Sequence, residues 1–363
     1  MKKKYILISL SPILLIALFA TVIINQNSKE YIMQDGIMLA LTLDGEKINS
    51  FPEERNYYIE VNCENGKGKW LVEEWKLSVE EVTGNVVCNI DFTSNPKTLT
   101  SKVEEVNVDN NYNNHGYRYS GTNPDNYVWF NNEMWRIIGS IPTCLSASCG
   151  TNTTNLVKII RNESIGGVVF NHSTSTPAWG RNKLYTLLNS YYYGKQNGTG
   201  TDYCYGYQAT SQSKCDYSVK GINPDGYYGE MIKNVYWNTG GIDYTYKTNT
   251  AYTYEIKTRT ISGYIGLMSA SDLGYGADSS YHTSELQSYS GSTLTNWLYQ
   301  GYEWTITPYY EDSNYIMYFT SSGVQKMHAA RSSMVVRPVV YLDQSVYIIS
   351  GDGTEGNPYQ IGM

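Results

Sequence analysis

The sequence has little charge and few of the residue types that catalytic and metal sites use most. Only 17% of its 363 residues are charged, four are histidine and six are phenylalanine. With a formal net charge of −7, it offers no basic stripe to a phosphate backbone, so we expect no nucleic-acid partner. The composition also excludes a collagen, a coiled coil and a multi-pass membrane protein, and its 14% aromatic content is too high for a disordered chain.

Familiar catalytic motifs are absent as well. The chain has no GxSxG, HExxH, P-loop or dinucleotide-binding glycine pattern. Paired carboxylates such as Glu73 and Glu74 are sequence neighbours and would point to opposite faces of a strand, which is unsuited to shared acid–base chemistry. We therefore predict no catalysis, no cofactor and no metal site, with an exported enzyme as the weaker alternative.

Tyrosine, by contrast, is abundant: the chain has 36 tyrosines beside its six phenylalanines. Codon bias would raise both residues, so it does not account for the excess alone. A ring that ends in a hydroxyl suits half-exposed surfaces and interfaces. We predict that tyrosine-rich loops bind a ligand, and the alternative is that the rings only pack irregular loops together. The candidate ligand-binding residues are Tyr191, Tyr192, Tyr193, Tyr205 and Tyr207.

The N-terminal residues predict the location of the chain. Three lysines precede residues 5–24, an uncharged run that is long enough to span a membrane as a helix. Under the positive-inside rule, residues 1–25 would form cytoplasmic lysines and a transmembrane anchor, with all later residues outside the cell. The expected location is the cell membrane, with a single pass. A cleaved signal peptide is the alternative, although its small-residue cleavage site would be poor.

Six cysteines agree with an exported chain. They fall into three pairs that are close in sequence, namely Cys63 with Cys88, Cys144 with Cys149, and Cys204 with Cys215. Proximity favours these disulfides among the 15 connectivities that six cysteines allow. A zinc site is the competing interpretation, but the chain has no CxxC and its histidines are scattered.

The chain reads as two domains of different character. Residues 31–93 contain short β-prone runs separated by Asp-Gly, Asn-Gly and Gly-Asn turns, which predicts a small all-β sandwich. Residues 94–114 are polar and are interpreted as a linker. Residues 115–363 mix many strands with a few short helices, so the expected fold class is α+β.

The clearest predicted helix covers residues 181–193, and a weaker one covers residues 228–237. Four apolar side chains of the first helix recur at helical spacing: Leu184, Leu187, Leu188 and Tyr191. This spacing places them on one buried face of the helix.

Polar motifs within the predicted strands are assigned structural roles. Arg136 and Arg337 interrupt apolar runs, so each would need an internal partner if it were buried, and contact with a ligand is the alternative. Residues 109–113 begin like a calcium-binding loop, but the positions that require glycine and glutamate carry Asn114 and Ser120.

Several segments in a fixed order resemble a family of uncharacterised bacterial surface proteins that carry a C-type-lectin-like domain after a small β-domain. The segments are NYVWFNNEMWRIIG (126–139), VKIIRNESIG (157–166), GYIGLMSASDLGYG (263–276), VRPVVYL (336–342) and GDGTEGNPYQI (351–361). The resemblance implies a small β-domain followed by a lectin-like domain over residues 115–363. It implies location and fold rather than activity.

The same resemblance relates the chain in fold to formylglycine-generating enzymes, whose chemistry needs a late reactive cysteine. No cysteine follows Cys215, and the sugar-binding triplets of calcium-dependent lectins are absent. The predicted function is therefore an extracellular binding or adhesion module that recognises a glycan or a protein through tyrosine-rich loops. A structural subunit of a pilus-like or cell-surface assembly is the alternative.

Overall fold

The structure is a computed structural model that forms two compact units. It describes residues 6–7, 31–34, 36–111, 114–171, 178–201, 204, 215–289, 295–330 and 333–363. The first unit contains the described residues up to Thr98 together with Tyr347–Asp352 and Tyr359–Met363. The second unit contains Leu99–Val346 and Gly353–Pro358.

The first unit is built from strands. Its five-stranded sheet has the order β2-β3-β8-β5, with β4 on β3, and a smaller sheet has the order β1-β7-β6. The strands are β1 (Ile6–Leu7), β2 (Ile32–Gln34), β3 (Ile37–Leu43), β4 (Glu46–Ile48), β5 (Tyr57–Glu64), β6 (Lys67–Leu71), β7 (Lys76–Glu80) and β8 (Val87–Ser94). Strands β3 and β8 run parallel, and the other pairs are antiparallel.

Aromatic side chains from both sheets form the core of this unit. The ring of Trp70, on β6, lies edge-on to Phe92 of β8 at 5.5 Å between centroids and to Trp75 at 5.2 Å. Cys63 and Cys88 are directly opposed on β5 and β8 and form a disulfide. The other predicted pairs, Cys144–Cys149 and Cys204–Cys215, are also disulfides, so all three predicted pairings are confirmed.

The predicted transmembrane anchor is wrong. Ile6 and Leu7 of the apolar run lie in β1, where their backbone pairs with Val79 and Ser78 of β7, while residue 5 and residues 8–24 lie outside the described residues. Over the described residues, no helix is long and apolar enough to cross a membrane. The expected single-pass membrane location, which depended on that helix, is overturned with it.

The second unit contains two larger sheets. In one, the strand order is β20-β12-β11-β10, with β9 also paired to β11. These strands are β9 (Tyr117–Arg118), β10 (Tyr127–Phe130), β11 (Glu133–Thr143), β12 (Thr154–Arg161) and β20 (Val339–Leu342). Asn131 and Asn132 form the turn between β10 and β11 with positive φ angles of 53° and 59°, a conformation that asparagine tolerates.

The other sheet has the order β13-β19-β16-β17-β18. Its strands are β13 (Gly167–Val169), β16 (Glu303–Pro308), β17 (Tyr315–Thr320), β18 (Gly323–His328) and β19 (Ser333–Val335). A separate two-stranded pair joins β14 (Val235–Tyr236) to β15 (Ser262–Gly263). The C-terminal hairpin of β21 (Tyr347–Ser350) and β22 (Tyr359–Gly362) belongs to the first unit.

The expected α+β class is also wrong, because helices account for only 14% of the structure. The helices are α1 (Leu99–Val106), α2 (Lys183–Thr186), which continues as a π-helical turn over Leu187–Tyr192, α3 (Thr248–Glu255) and α4 (Ala270–Gly276), with 3-10 turns at Val108–Asn110, Ser279–Tyr281 and Leu286–Ser288. Residues 228–237, predicted as a helix, form turns and the short strand β14 instead. Backbone pairing to Tyr341 and Cys144 holds this segment extended.

The division of the chain differs from the predicted boundaries at two places. Residues 99–106, which lie within the predicted linker, form α1 of the second unit, because Leu99 and Val103 lie on one face of the helix and are both buried. Residues 347–352 and 359–363, which lie within the predicted lectin-like domain, belong to the first unit. There Ile348 donates a backbone hydrogen bond to Lys97, and the Tyr347 hydroxyl donates to the carbonyl of Arg55.

Candidate ligand-binding surface

The five tyrosines predicted to bind a ligand are found in different settings. Tyr192 is fully buried, and its ring packs edge-on against Tyr217 at 5.4 Å. Tyr191 and Tyr193 are half-buried, and the ring of Tyr193 stacks on Tyr264 at 4.5 Å. Tyr205 and Tyr207 lie outside the described residues. Tyr192 is therefore a core residue, and the structure does not bring the predicted set together as one exposed surface.

A different group of tyrosines does form an exposed surface in the second unit. It combines residues from a loop before α3, from α3 itself, and from the hairpin between β16 and β17. We call it the tyrosine surface, and its members are Tyr244, Tyr246, Tyr254, Tyr309, Tyr310 and Tyr315. Tyr310 is 50% exposed and Tyr254 37% exposed, whereas Tyr309 at 7% forms the base.

The rings of the tyrosine surface contact one another. Tyr246 lies 5.0 Å from Tyr254 and 6.3 Å from Tyr310, measured between ring centroids. Tyr244 is stacked on Tyr309 at 6.3 Å, and Tyr309 meets Tyr310 edge-on at 5.1 Å. Such offset and edge-on contacts stabilise aromatic clusters beyond simple burial. Five rings thus form one continuous group.

Charged side chains flank these rings. The Nζ atom of Lys326 lies 3.6 Å from the ring centroid of Tyr309, and that of Lys257 lies 3.5 Å from the ring of Tyr254. The Glu311 carboxylate accepts hydrogen bonds from the hydroxyls of Tyr309 and Tyr310 at 2.5 and 2.7 Å. These two bonds lower the pKa of Glu311, and each raises the pKa of the tyrosine that donates it, that of Tyr310 to about 12. Both tyrosines are therefore neutral hydrogen-bonding rings at physiological pH.

Long-range backbone pairing holds the tyrosine surface together. Ile242 donates a backbone hydrogen bond to Pro308 and accepts one from Tyr310, so the loop runs beside the end of β16. Gly240 and Gly241 allow this close approach: a Cβ atom on Gly240 would lie 2.1 Å from the carbonyl oxygen of Tyr254, and one on Gly241 would lie 2.8 Å from Cα of Tyr310. Only glycine fits these two positions without a backbone shift.

Further along the same loop, backbone contacts fix Tyr244 and Tyr246. Leu286 donates a backbone hydrogen bond to the carbonyl of Tyr246, and Gln287 donates to that of Tyr244. The Asp243 side chain accepts from the backbone of Thr245, which closes a turn between them. The loop is thus positioned before any ligand arrives, which reduces the entropy lost on binding.

A cleft of about 330 Å³ opens among the same segments. Its lining includes Pro308, immediately before Tyr309, and Thr258, immediately after Lys257. Ile306 and Trp179 provide apolar surface, and Arg181 is the one charged residue among the described residues that line the cleft. The volume falls at the lower end of the roughly 300–1,000 Å³ typical of small-molecule sites.

The second unit also contains a closed cluster of titratable groups, which we call the Asp272 centre. Asp272 is 2% exposed, and its carboxylate accepts from Arg118 Nη1 at 2.6 Å and Lys158 Nζ at 2.5 Å. It also accepts from the backbone of Ser269, as part of the capping box that begins α4. Both carboxylate oxygens have protein partners, which indicates a structural role.

Electrostatic interactions keep Asp272 ionised despite its burial. Burial alone would raise its pKa, but the Lys158 ammonium and the Arg118 guanidinium outweigh that effect and hold it below its usual range. Glu255 is shifted in the opposite direction. It is fully buried and accepts hydrogen bonds from Ser271 and Thr307, and its burial together with the nearby Asp272 carboxylate raises its pKa.

Aromatic rings close the Asp272 centre from solvent. The Arg118 guanidinium lies 4.5 Å from the ring centroid of Tyr275 and 5.4 Å from that of Tyr252. His115 hydrogen-bonds the Tyr275 hydroxyl at 2.7 Å. Burial and the nearby Arg118 lower the pKa of His115 to about 4, so it is neutral at pH 7.

The two arginines singled out in the sequence have internal partners. Arg337 is 1% exposed and forms a bidentate pair with Glu303. Arg136 donates to Asn126 and Asn123, and its guanidinium lies 4.0 Å from the ring centroid of Tyr127. These contacts account for both residues as buried structural arginines.

Neither a metal site nor a known relative identifies an activity. In the part of the chain that the structure describes, no group of three or more His, Cys, Asp or Glu side chains is arranged to hold a metal ion. No family model, curated protein or solved structure matches the chain. The resemblance to lectin-like surface proteins therefore stays a prediction.

None of the six members of the tyrosine surface is among the five ligand-binding tyrosines predicted from the sequence. Tyr254 belongs to a cluster visible in the sequence, and so does its buried neighbour Tyr252. Tyr244 and Tyr246 alternate in a way that predicts one shared face. Their meeting with Tyr309 and Tyr310 depends on the pairing of Ile242 with the end of β16, which no local pattern shows.

Proposed function

We propose that this protein is a binding module without catalytic activity, whose tyrosine surface recognises a glycan or a protein. The observation that carries the proposal is the continuous group of tyrosine rings, with Tyr254 and Tyr310 substantially exposed. Tyrosine gives a large and rigid contact area at low entropy cost, and its hydroxyl bonds to polar ligands.

The charged groups support binding of a polar ligand. Lys257 and Lys326 lie over ring faces, and Glu311 lies between two tyrosine hydroxyls. An aromatic centre with a polar rim is the usual anatomy of a recognition site. The three disulfides fit a protein that works in an oxidising compartment.

The proposal is tested by screening the full-length chain on an array of glycans and extracellular proteins. The informative variant is Tyr254→Ala/Tyr310→Ala, which removes the two most exposed rings of the tyrosine surface. The matched control is Tyr302→Ala, because Tyr302 is 54% exposed but outside the tyrosine surface.

We expect the screen to find a ligand whose affinity is the same for the wild type and for the Tyr302→Ala control. Its affinity for the double variant should be at least about tenfold lower, since exposed aromatic anchors dominate such interfaces. Absence of any ligand, or equal binding by all three proteins, would overturn the proposal.

A further inference from the structure

The Cys144–Cys149 disulfide closes an exposed loop that directly follows β11. Cys144 is 1% exposed, whereas Cys149 is half-buried and residues 145–148 between them are all exposed. The contact of Cys149 Sγ with the carbonyl oxygen of Gly150 is also exposed to solvent. Because exchange requires access to a sulfur atom, a dissolved thiol would approach this bond from the Cys149 side.

A guanidinium group lies against this disulfide. Arg259 Nη1 is 3.1 Å from Cys144 Sγ and 3.9 Å from Cys149 Sγ. The same nitrogen donates to the carbonyl oxygen of Gly150 at 3.2 Å, and Arg259 Nε donates to Asn238 Oδ1 at 2.7 Å. Both oxygen acceptors are neutral, so they hold the guanidinium in place without neutralising its charge. A cation held beside a sulfur atom stabilises the thiolate that forms when a disulfide opens.

Backbone pairing holds Cys144 in place independently of the disulfide. Thr143, the last residue of β11, pairs with β12, and Tyr236 of β14 donates a backbone hydrogen bond to the carbonyl oxygen of Cys144. Opening the disulfide would therefore release Cys149 and the exposed loop, while Cys144 stays beside Arg259. The reduced protein keeps the strands of the second unit and the thiolate partner.

The other two disulfides are more firmly built into the fold. Cys204 and Cys215 are 4% and 1% exposed. Cys63–Cys88 joins directly opposed residues of two paired strands. The sequence separations of these two pairs are 11 and 25, compared with 5 for Cys144–Cys149. A shorter closed loop removes less entropy from the unfolded chain, so Cys144–Cys149 stabilises the fold least of the three.

We propose that Cys144–Cys149 is a thiol–disulfide exchange site for low-molecular-mass thiols, in which Cys149 is attacked and Arg259 stabilises the Cys144 thiolate. The external thiolate forms a bond to Cys149 Sγ, and the electron pair of the broken S–S bond stays on Cys144 Sγ. A second external thiolate attacks the external sulfur of this mixed disulfide and releases Cys149 as a thiolate. The protein gains two electrons, and two external thiolates become one external disulfide. This chemistry does not depend on a ligand at the tyrosine surface.

The test incubates the full-length oxidised protein with glutathione buffers of increasing reduced fraction, without denaturant and without oxygen. Free thiols are trapped with a maleimide at intervals, and peptide mass spectrometry identifies the state of each cysteine and any glutathione adduct. The other two disulfides serve as internal controls. We expect Cys144–Cys149 to open at least about tenfold faster than either of them, since it combines access with a stabilised leaving thiolate. The adduct should lie on Cys149, and circular dichroism should show that the protein remains folded.

Three variants separate the charge of Arg259 from its packing. Arg259→Gln removes the charge, Arg259→Lys keeps it, and the matched control Arg55→Gln removes the charge of an exposed arginine in the first unit. In Arg259→Gln, the equilibrium constant for reduction of Cys144–Cys149 should fall about tenfold, which is about 30 mV for this two-electron couple. In Arg259→Lys it should stay within about threefold of the wild type. Arg55→Gln should leave it unchanged.

Three results would each contradict the exchange site. The first is that Cys144–Cys149 opens together with, or after, another disulfide. The second is a glutathione adduct on Cys144 instead of Cys149. The third is an Arg259→Gln protein with the same equilibrium constant for reduction as the wild type. If Arg259→Gln does not fold, the order of opening and the position of the adduct in the wild type decide alone.

Discussion

The Asp272 centre and the tyrosine surface use the same residue types for different ends. Each combines tyrosine rings with cations and a carboxylate, and helix α3 contributes to both. Tyr252 of this helix is 3% exposed and faces Arg118, whereas Tyr254 is 37% exposed and carries Lys257. Residues two apart on a helix lie on nearly opposite faces, so one short helix supplies a closed cluster on one side and an open one on the other.

The difference between them shows how burial decides what such a cluster does. Around Asp272, the charges of Arg118, Lys158 and Asp272 are buried and paired with one another. On the tyrosine surface, the rings are held by one another and by the backbone, and the outer faces of Tyr254 and Tyr310 are exposed. A fully satisfied cluster stabilises the fold, and an incompletely covered one is available for binding.

The largest effect should come from the buried carboxylate. Asp272→Ala leaves Arg118 and Lys158 buried without their shared anion, and we expect the free energy of unfolding to fall by about 3–5 kcal/mol. Urea denaturation measures this change. Glu311→Ala on the tyrosine surface is the control and should change the unfolding free energy by at most about 0.5 kcal/mol. Equal losses from the two variants would remove the distinction between the regions.

A smaller loss of stability is expected at Gly240, where the backbone of another segment lies close. Gly240→Ala places a Cβ atom 2.1 Å from the Tyr254 carbonyl oxygen, and overpacking of this kind costs about 1–3 kcal/mol. The loop should shift and separate Tyr246 from Tyr254. The control is Gly356→Ala, where a Cβ atom would meet nothing within 4 Å. Thermal unfolding of the two variants compares them, and a Gly240→Ala protein as stable as Gly356→Ala would show that this contact is unimportant.

Burial of His115 should make the protein less stable in acid. The pKa of His115 is 6.5 in the unfolded chain and about 4 in the folded protein, since burial and Arg118 lower it. Between these values the unfolded chain binds the proton and the folded protein does not, so stability falls as pH decreases from 6.5 to 4 and levels off below. Because the side chain is only partly buried, we expect a contribution of about 1–2 kcal/mol.

Urea denaturation at pH 7 and pH 4 measures this contribution in the wild type and in His115→Gln. Between pH 7 and pH 4, the free energy of unfolding of the variant should fall by about 1–2 kcal/mol less than that of the wild type. The remaining decrease is common to both, because the carboxylates titrate in both proteins. An identical loss in both would place the acid sensitivity elsewhere.

Local patterns predicted much of the secondary structure and all of the disulfides. Leu184, Leu187 and Leu188 are fully buried, as their helical spacing predicts. Tyr191 is not, because the helix widens into a π-helical turn in which Tyr193 donates to Leu188, five residues back. That change of pitch brings Tyr192 into the core instead.

The tyrosine surface was beyond such patterns because it depends on contacts between distant segments. Ile242 pairs with the end of β16, more than 60 residues later in the chain. The N-terminal anchor failed for a related reason. Hydropathy detects an apolar run, but the strand partner that Ile6 and Leu7 find in β7 is not a local property.

The central claim is that exposed tyrosines of the second unit bind a ligand and contribute little to the stability of the fold. It is tested most directly by calorimetric titration of the array-selected ligand into wild type, Tyr310→Ala and Tyr302→Ala, with the free energy of unfolding of each protein measured by urea denaturation. We predict that Tyr310→Ala loses at least about tenfold in affinity, that Tyr302→Ala loses none, and that the unfolding free energies of all three agree within about 0.5 kcal/mol. Equal affinities for the two variants would contradict the claim.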